Sequence, residues 1–261
     1  MLNAGDIRDK MRTGATIGAW MQIPSPEVAE IMGRAGYDWV AVDMEHGLFT
    51  RTGLADVCRA IELGGGVPFA RVAEATKNEI KGALEAGAQG IIFPMIERRA
   101  QLDDAISWSL YPDRGGSRGV GFCRANLYGK NLAAYREGSA KDLILVAQIE
   151  HIRALEELQL ILAHPRLDAI MVGPYDLSGS MGLTGHFDHP DFIAAIQHIQ
   201  DACTRQGAHM GVHVVEPNPA ELAERVKQGY RFIAYGIDAV FLWRHAQRPA
   251  NACSSFGENR K

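Results

Sequence analysis

Cysteine is scarce: Cys58, Cys123, Cys203 and Cys253 lie far apart in a chain of 261 residues and form no Cys-x-x-Cys pair. That spacing excludes a structural zinc site or a disulfide framework and leaves core or surface thiols in a reducing compartment. Runs of one charge are missing as well. Lys and Arg are scattered and the net charge is −4, so nucleic acid is not an expected partner. No apolar run approaches a membrane span, and the opening Met-Leu-Asn-Ala-Gly-Asp-Ile-Arg-Asp-Lys has no apolar signal region. A cytoplasmic protein without membrane contact is the expectation. No Gly-x-Gly-x-x-Gly turn follows the first predicted strand, which argues against a doubly wound dinucleotide-binding sheet. No Lys stands at a predicted strand end, which disfavours a Schiff-base mechanism. The stretch Glu216-Pro-Asn-Pro219 offers no glycine-rich phosphate cradle.

What is present is an ordinary globular composition, 47% hydrophobic and 22% charged, arranged as strand–helix alternations. After a polar start, Ala15 to Ile23 reads as a strand. Ser25 then caps a helix with Pro26 at its first position, running to about Ala35. Trp39 to Met44 is a second strand, ended by Glu45-His46-Gly47, and Thr50 caps a helix reaching Gly64-Gly65-Gly66. Pro68 to Val72 is the third strand, with a helix from Asn78 to Gly87; Gly90 to Met95 is the fourth, with a helix to about Trp108. Leu110 to Lys141 breaks the rhythm with Pro112-Asp-Arg-Gly-Gly-Ser-Arg-Gly119 and a short helix around Asn131 to Arg136. A connection of that length in a compact domain is expected to be functional or a lid.

The alternation resumes with Leu143 to Glu150, a helix to Ala163, and the strand Ala169 to Val172, followed by a Gly/Ser-rich loop through Gly182. A helix from about Pro190 to Arg205, a strand from His209 to Val215, a helix from Pro219 to Lys227, a strand from Phe232 to Gly236 and a helix through Arg244 complete the set. Eight such units in one chain predict an α/β fold: a single (β/α)8 TIM barrel over residues 1–261, with the long connection at about 110–141 and a flexible tail from about 249.

Active sites of such barrels lie at the C-terminal strand ends, which brings together Gln22, Asp43/Glu45/His46, Arg71, Pro94-Met95, Gln148/Glu150, Tyr175/Asp176, Val215/Glu216 and Ile237/Asp238. Glu150 and Asp176 end adjacent strands, as carboxylates of a cation site do; singly, each also reads as a helix cap or a turn aspartate. Two carboxylates without Cys or clustered His suit Mg²⁺ or Mn²⁺, and Co²⁺ more loosely. His46 is the candidate acid–base group, with Asp43 three residues earlier to hold its second nitrogen; a satisfied buried histidine is the plain alternative. The other histidines, His213 among them, read as background. Arg71 ends an apolar strand, where its guanidinium needs either a substrate anion or a site carboxylate in an internal ion pair. Arg114 and Arg118 fit a distal substrate acid or, equally, an interface or solvent.

At these residues the chain resembles the HpcH/HpaI-type metal-dependent class II pyruvate aldolases, including those acting on 2,4-dihydroxyhept-2-ene-1,7-dioate. The ordered motifs are Gly36-Tyr-Asp-Trp-Val-Ala-Val-Asp-Met-Glu-His-Gly47, Ala70-Arg-Val72, Gly87-Ala-Gln-Gly-Ile-Ile-Phe-Pro-Met95, Gln148-Ile-Glu150 and Gly173-Pro-Tyr-Asp-Leu-Ser-Gly-Ser-Met-Gly182. The resemblance implies a barrel of the phosphoenolpyruvate/pyruvate type that forms a homohexamer, a trimer of dimers with the last helix exchanged between paired subunits. It implies Glu150 and Asp176 as metal ligands, His46 with Asp43 as the acid–base dyad, and Arg71 as the residue that binds pyruvate and stabilises its enolate. Gln148, Gly173, Pro174, Tyr175 and Val215 would complete the substrate contacts. No organic cofactor is implied. The reaction implied is reversible cleavage of a 4-hydroxy-2-oxo acid to pyruvate and an aldehyde. The alternatives are a citrate synthase-like, carbon–carbon-forming member from a siderophore pathway and a non-catalytic 2-oxo-acid-binding barrel. The chain departs from the family pattern at Tyr175, where a small residue is frequent. It departs again at Glu85, where an Asp thought to reach a neighbouring subunit is usual, and at Tyr235-Gly-Ile-Asp238.

Overall fold

The computed structural model describes residues 2–138 and 141–246; the tail predicted from about 249 and Cys253 lie outside them. Eight parallel strands close into a barrel in sequence order. They are β1 (Thr16–Met21), β2 (Trp39–Asp43), β3 (Val67–Arg71), β4 (Gly90–Phe93), β5 (Ile144–Ile149), β6 (Ala169–Val172), β7 (Met210–Val214) and β8 (Phe232–Ile237). Alternation along each strand separates two cores. Outward residues such as Val40, Val42, Ile91 and Ile170 pack against the helices, while Trp20, Trp39, Ala41, Phe69, Met171 and Phe232 fill the barrel. Trp39 stacks on Phe232 with centroids 4.3 Å apart and on Phe69 at 5.3 Å. This aromatic plug requires Gly18 on β1, since a Cβ there would lie 2.1 Å from Trp39 Cδ2. The barrel is therefore solid through its middle, and its inward side chains above the plug form the floor of a site.

The polar start predicted before the first strand is a helix, Ala4–Thr13, with a capping box between Asn3 and Asp6. Its buried face, Ala4, Ile7 and Met11, joins the barrel interior and closes the N-terminal end. Arg8 clamps it to Asp168 at 2.6 Å, and Lys10 to Asp38 at 2.6 Å. Other differences from the predicted elements are local. The helix placed from Asn78 runs Lys77–Ala86, because Thr76 accepts the Glu79 N–H as N-cap. The helix expected up to Ala163 is a 3-10 turn, Ile152–Leu155, followed by a short helix, Leu158–Leu162. The Gly/Ser-rich loop after β6 begins as a helix, Pro174–Ser180, with Pro174 at its first position and Asp176 in its first turn.

The long connection is not a lid. It holds two 3-10 turns, Pro112–Arg114 and Arg124–Gly129, and a helix, Leu132–Gly138. Arg124 donates to the carbonyl of Ala86 at the end of the Lys77–Ala86 helix and to Glu62, which fixes the segment to the N-terminal end of the barrel. Arg118 is buried there between Tyr111 and Tyr135, 4.8 and 5.5 Å from the ring centroids, and Arg114 faces Asp113. Neither can meet a substrate of its own chain at the opposite end. Glu85 lies at the same end, at the close of its helix and 3.7 Å from Lys81.

Candidate active site

At the C-terminal strand ends a cleft of about 220 Å³ opens, lined by Trp20, Gln22, Asp43, His46, Arg71, Gln148, Met171, Gly173, Pro174, Tyr175, Asp176, His213, Val215 and Ile237. Its floor is built by register: Asp43 on β2 pairs directly with Arg71 on β3. The Arg71 fork grips that carboxylate through Nε to Oδ1 at 2.9 Å and Nη2 to Oδ2 at 2.7 Å. Nη1 lies 3.0 Å from Glu45 Oε2, and the guanidinium sits 5.1 Å from the Trp20 ring. Burial works to raise the Asp43 carboxyl, but the charge and donors of Arg71, with Gln22 and His46, hold it below its ordinary value.

The expected Asp43–His46 pair meets through the backbone. Asp43 receives the backbone N–H of His46 at 3.1 Å, with further donors from Trp20 Nε1 at 3.1 Å and Gln22 Nε2 at 2.9 Å. It thus holds the turn that presents His46 and makes no bond to the imidazole. Asp238, counted among the strand-end acids, is likewise committed to backbone. It accepts the N–H groups of Gln22, Ile23 and Ala239 at 2.7–2.9 Å. Glu216 pairs with Arg244 outside the cleft.

Glu150 lies at the end of β5 with 2% of its surface exposed. Its Oε1 accepts the Met95 N–H at 2.7 Å, and Oε2 accepts Gln148 Nε2. Met95 reaches that position at φ +53°, an uncommon left-handed conformation for a side chain of this kind. Burial pushes the Glu150 carboxyl up to about 7; the Met95 N–H opposes this, and the charges of Glu45 and Asp176 add to it. Glu45 is also raised, first by burial, and Arg71 and His46 only partly offset that. Gln148 Oε1 is buried with no hydrogen-bond partner. Above these groups Gly173 leaves the space free, since a Cβ there would lie 2.6 Å from Glu150 Oε2.

Gly173, expected among the substrate contacts, donates its N–H to the Ile149 carbonyl within the barrel. At the helix start only the N–H groups of Tyr175 and Asp176 remain for a ligand. Tyr175 is 60% exposed and meets Phe187 edge-to-face at 4.9 Å. The residues that sequence reasoning missed are Trp20 and His213. A mid-strand His in Gly-Val-His-Val-Val carried a signal only through its inward parity with Gly211 and Val215. The His213 ring lies tilted against Trp20 with centroids 4.8 Å apart, and its Nε2 is 3.1 Å from the Gly236 carbonyl.

The family model for HpcH/HpaI aldolase/citrate lyase matches residues 16–245. A hydroxypyruvate/pyruvate aldolase of Paraburkholderia phytofirmans is 33% identical over 238 residues, 89% of this chain and 90% of that protein. A 2-dehydro-3,6-dideoxy-6-sulfogluconate aldolase of Pseudomonas putida is 33% identical over 235 residues, 90% and 91% of the two chains. The crystal structure of an HpcH/HpaI aldolase/citrate lyase family protein from Burkholderia cenocepacia superposes with a TM-score of 0.87 at 30% identity, covering 93% of this chain and 96% of that one.

Proposed function

The chain belongs to the HpcH/HpaI aldolase/citrate lyase family, and from that premise we propose that it is a divalent-metal-dependent aldolase reversibly cleaving a 4-hydroxy-2-oxo acid to pyruvate, or a close 2-oxo acid, and an aldehyde. The observation that carries the reading is the Glu150 carboxyl, almost free of water, pushed up to about 7 by burial and then by the Glu45 and Asp176 charges. A cation relieves that repulsion. Glu150 and Asp176 offer only oxygens, which suits Mg²⁺ or Mn²⁺, and Co²⁺ less closely. Among the described residues no group of three or more His, Cys, Asp or Glu is placed to hold an ion. Substrate and water oxygens would therefore complete the coordination. When bound, the cation supplies Lewis acidity that draws electron density from the 2-oxo acid.

The chain's own residues supply the rest. Five N–H donors radiate from a guanidinium; three of those of Arg71 face Asp43 and Glu45, leaving two for the substrate's oxo oxygen. Held in that way, Arg71 stabilises the negative charge that develops on this oxygen as the C3–C4 bond breaks, without reorganising. His46, fixed through its backbone by Asp43, takes the C4 hydroxyl proton as the C3–C4 bond breaks, C3 of the enolate then takes up a proton to give pyruvate, and synthesis reverses both transfers. The N–H groups of Tyr175 and Asp176 and the Gln148 amide position the carboxylate end, with Pro174 and Val215 as walls. The cleavage reading is favoured over a carbon–carbon-forming synthase because relatives at 33% identity are named aldolases. The same reading carries a homohexamer with an exchanged last helix, in which Glu85 would serve a neighbouring site. Oxaloacetate decarboxylation tests the core of it: the metal-loaded protein is expected to decarboxylate, and to stop with EDTA. Turnover that persists without metal would sink the mechanism.

A further inference from the structure

One half-buried titratable group in the cleft has no part in the chemistry above. The Nε2 of His213 lies 3.1 Å from the Gly236 carbonyl oxygen, and a carbonyl only accepts, so Nε2 carries the proton. Burial pushes this imidazole down to about 4; the Gly236 bond opposes the shift and the Arg71 charge adds to it. The ring is thus neutral at physiological pH and its Nδ1 is a lone-pair acceptor. Nδ1 has no hydrogen-bond partner among the described residues. Around it the cleft wall is Trp20, Val215 and Ile237, which is apolar apart from this one nitrogen. The wall stands at β7, β8 and β1, away from the Gln148 and Glu150 end of the cleft, on the side left for the aldehyde half of the substrate.

The charges at the site point the same way. The four carboxylates Asp43, Glu45, Glu150 and Asp176 outnumber, by one charge, Arg71 on Asp43 and Glu45 together with a divalent cation on Glu150 and Asp176. Among the described residues that line the cleft there is no further Lys or Arg. A second carboxylate or sulfonate on the aldehyde half would face like charges and a lone pair. A hydroxyl there finds an acceptor.

We infer that His213 is the recognition element for the aldehyde half: its Nδ1 accepts a hydrogen bond from a hydroxyl of the aldehyde, so the acceptor is a neutral hydroxylated aldehyde and not an acid semialdehyde. This rests on the aldolase reading. The test uses the purified metal-loaded protein in the synthesis direction with pyruvate as donor. Glycolaldehyde, propanal (a methyl in place of the hydroxyl) and glyoxylate (a carboxylate) serve as acceptors. The wild type is expected to favour glycolaldehyde over both. In His213→Leu the glycolaldehyde-to-propanal ratio of kcat/KM is expected to fall roughly tenfold, as one lost hydrogen bond dictates. His213→Gln, whose amide oxygen also accepts, is expected to recover most of that ratio. In ¹⁵N spectra the His213 ring is expected as the Nε2–H tautomer, with an Nδ1 resonance that moves when glycolaldehyde joins pyruvate.

A ratio unchanged in His213→Leu, or glyoxylate preferred by the wild type, overturns the inference. Should that variant fail to fold, an Nδ1 resonance indifferent to glycolaldehyde overturns it instead. Exchange of the pyruvate methyl protons for deuterium by the wild type measures the aldolase reading separately. Its absence removes both conclusions, whereas exchange with an unchanged ratio removes only this one.

Discussion

Three donors reach each oxygen of Asp43: Glu45 N, His46 N and Arg71 Nε on Oδ1, and Trp20, Gln22 and Arg71 Nη2 on Oδ2. An amide in its place turns two of those acceptor sites into donors and leaves a buried guanidinium short of its counter-charge. Asp43→Asn is therefore expected to lower kcat/KM for oxaloacetate by about 100-fold or more, the scale of a lost oxyanion contact, with circular dichroism unchanged. The sequence names Asp43, Arg71 and His46 and offers Arg71 a site carboxylate, but not which one. A separation of three residues brings a side-chain carboxylate to the backbone N–H, as in any Asx turn. The Arg71 contact depends on strand register, which no local pattern contains. His213 was lost for the same reason, since a mid-strand polar residue reveals its role only once the barrel decides which parity faces inward. Its titration gives a second expectation. Folded His213, at about 4, binds fewer protons than an ordinary imidazole at 6.5, so its contribution to stability rises with pH across that window and is lost below it. Between pH 6.5 and pH 4, wild type is expected to lose more stability than His213→Gln in urea titrations. The excess is up to roughly 3 kcal/mol, reduced where the ring meets water in the cleft.

Strands were the most legible elements. Ala169–Val172 and the helix Pro219–Lys227 coincide with their predicted limits, and the other strands differ by one or two residues. Buried runs of Val, Ile and Ala between glycines carry that information directly. The helix Ala4–Thr13 was legible in principle. Asn3 and Asp6 make a capping box, and Ala4, Ile7 and Met11 repeat at helical spacing. Three apolar residues among charges are too few to outweigh a polar composition, and their burial depends on a barrel mouth that needs closing. Met11 is fully buried in that mouth. Met11→Ala is expected to cost about 2–4 kcal/mol in urea denaturation, as truncation to Ala in a close-packed core does. The specific activity of the folded fraction should be retained, because the cavity opens below the aromatic plug. A variant that keeps wild-type stability would show the helix is not a working part of the core. Helix Pro174–Ser180 was hidden by composition, since Gly and Ser lower helix propensity. Pro174 at the first position, with the Gly173 carbonyl accepting from Leu177, is enough to start one turn.

Across the whole molecule the two ends of the barrel differ in chemistry. The carboxylates, Arg71 and the two cleft histidines occupy the C-terminal rim, the stacked Trp39, Phe69 and Phe232 block the middle, and the first helix and the long connection cover the far end. A single chain also leaves apolar surface on the outside. The last described helix, Asp238–His245, exposes Leu242 by 60% and Trp243 by 67%, and the helix Pro219–Lys227 buries no residue. Large side chains exposed side by side mark surfaces that association covers. The homohexamer proposed above uses this helix, so light scattering after size exclusion should give six chains of 28.5 kDa each. The double substitution Leu242→Glu with Trp243→Glu is expected to shift the particle to a smaller species, because a carboxylate at an apolar contact is buried unpaired. If Glu85 serves a neighbouring site in that assembly, the same variant should lose activity as it dissociates, with Mn²⁺ affinity retained because Glu150 and Asp176 come from one chain. A wild-type monomer in solution, or full activity in the dissociated variant, would place the whole site within one barrel.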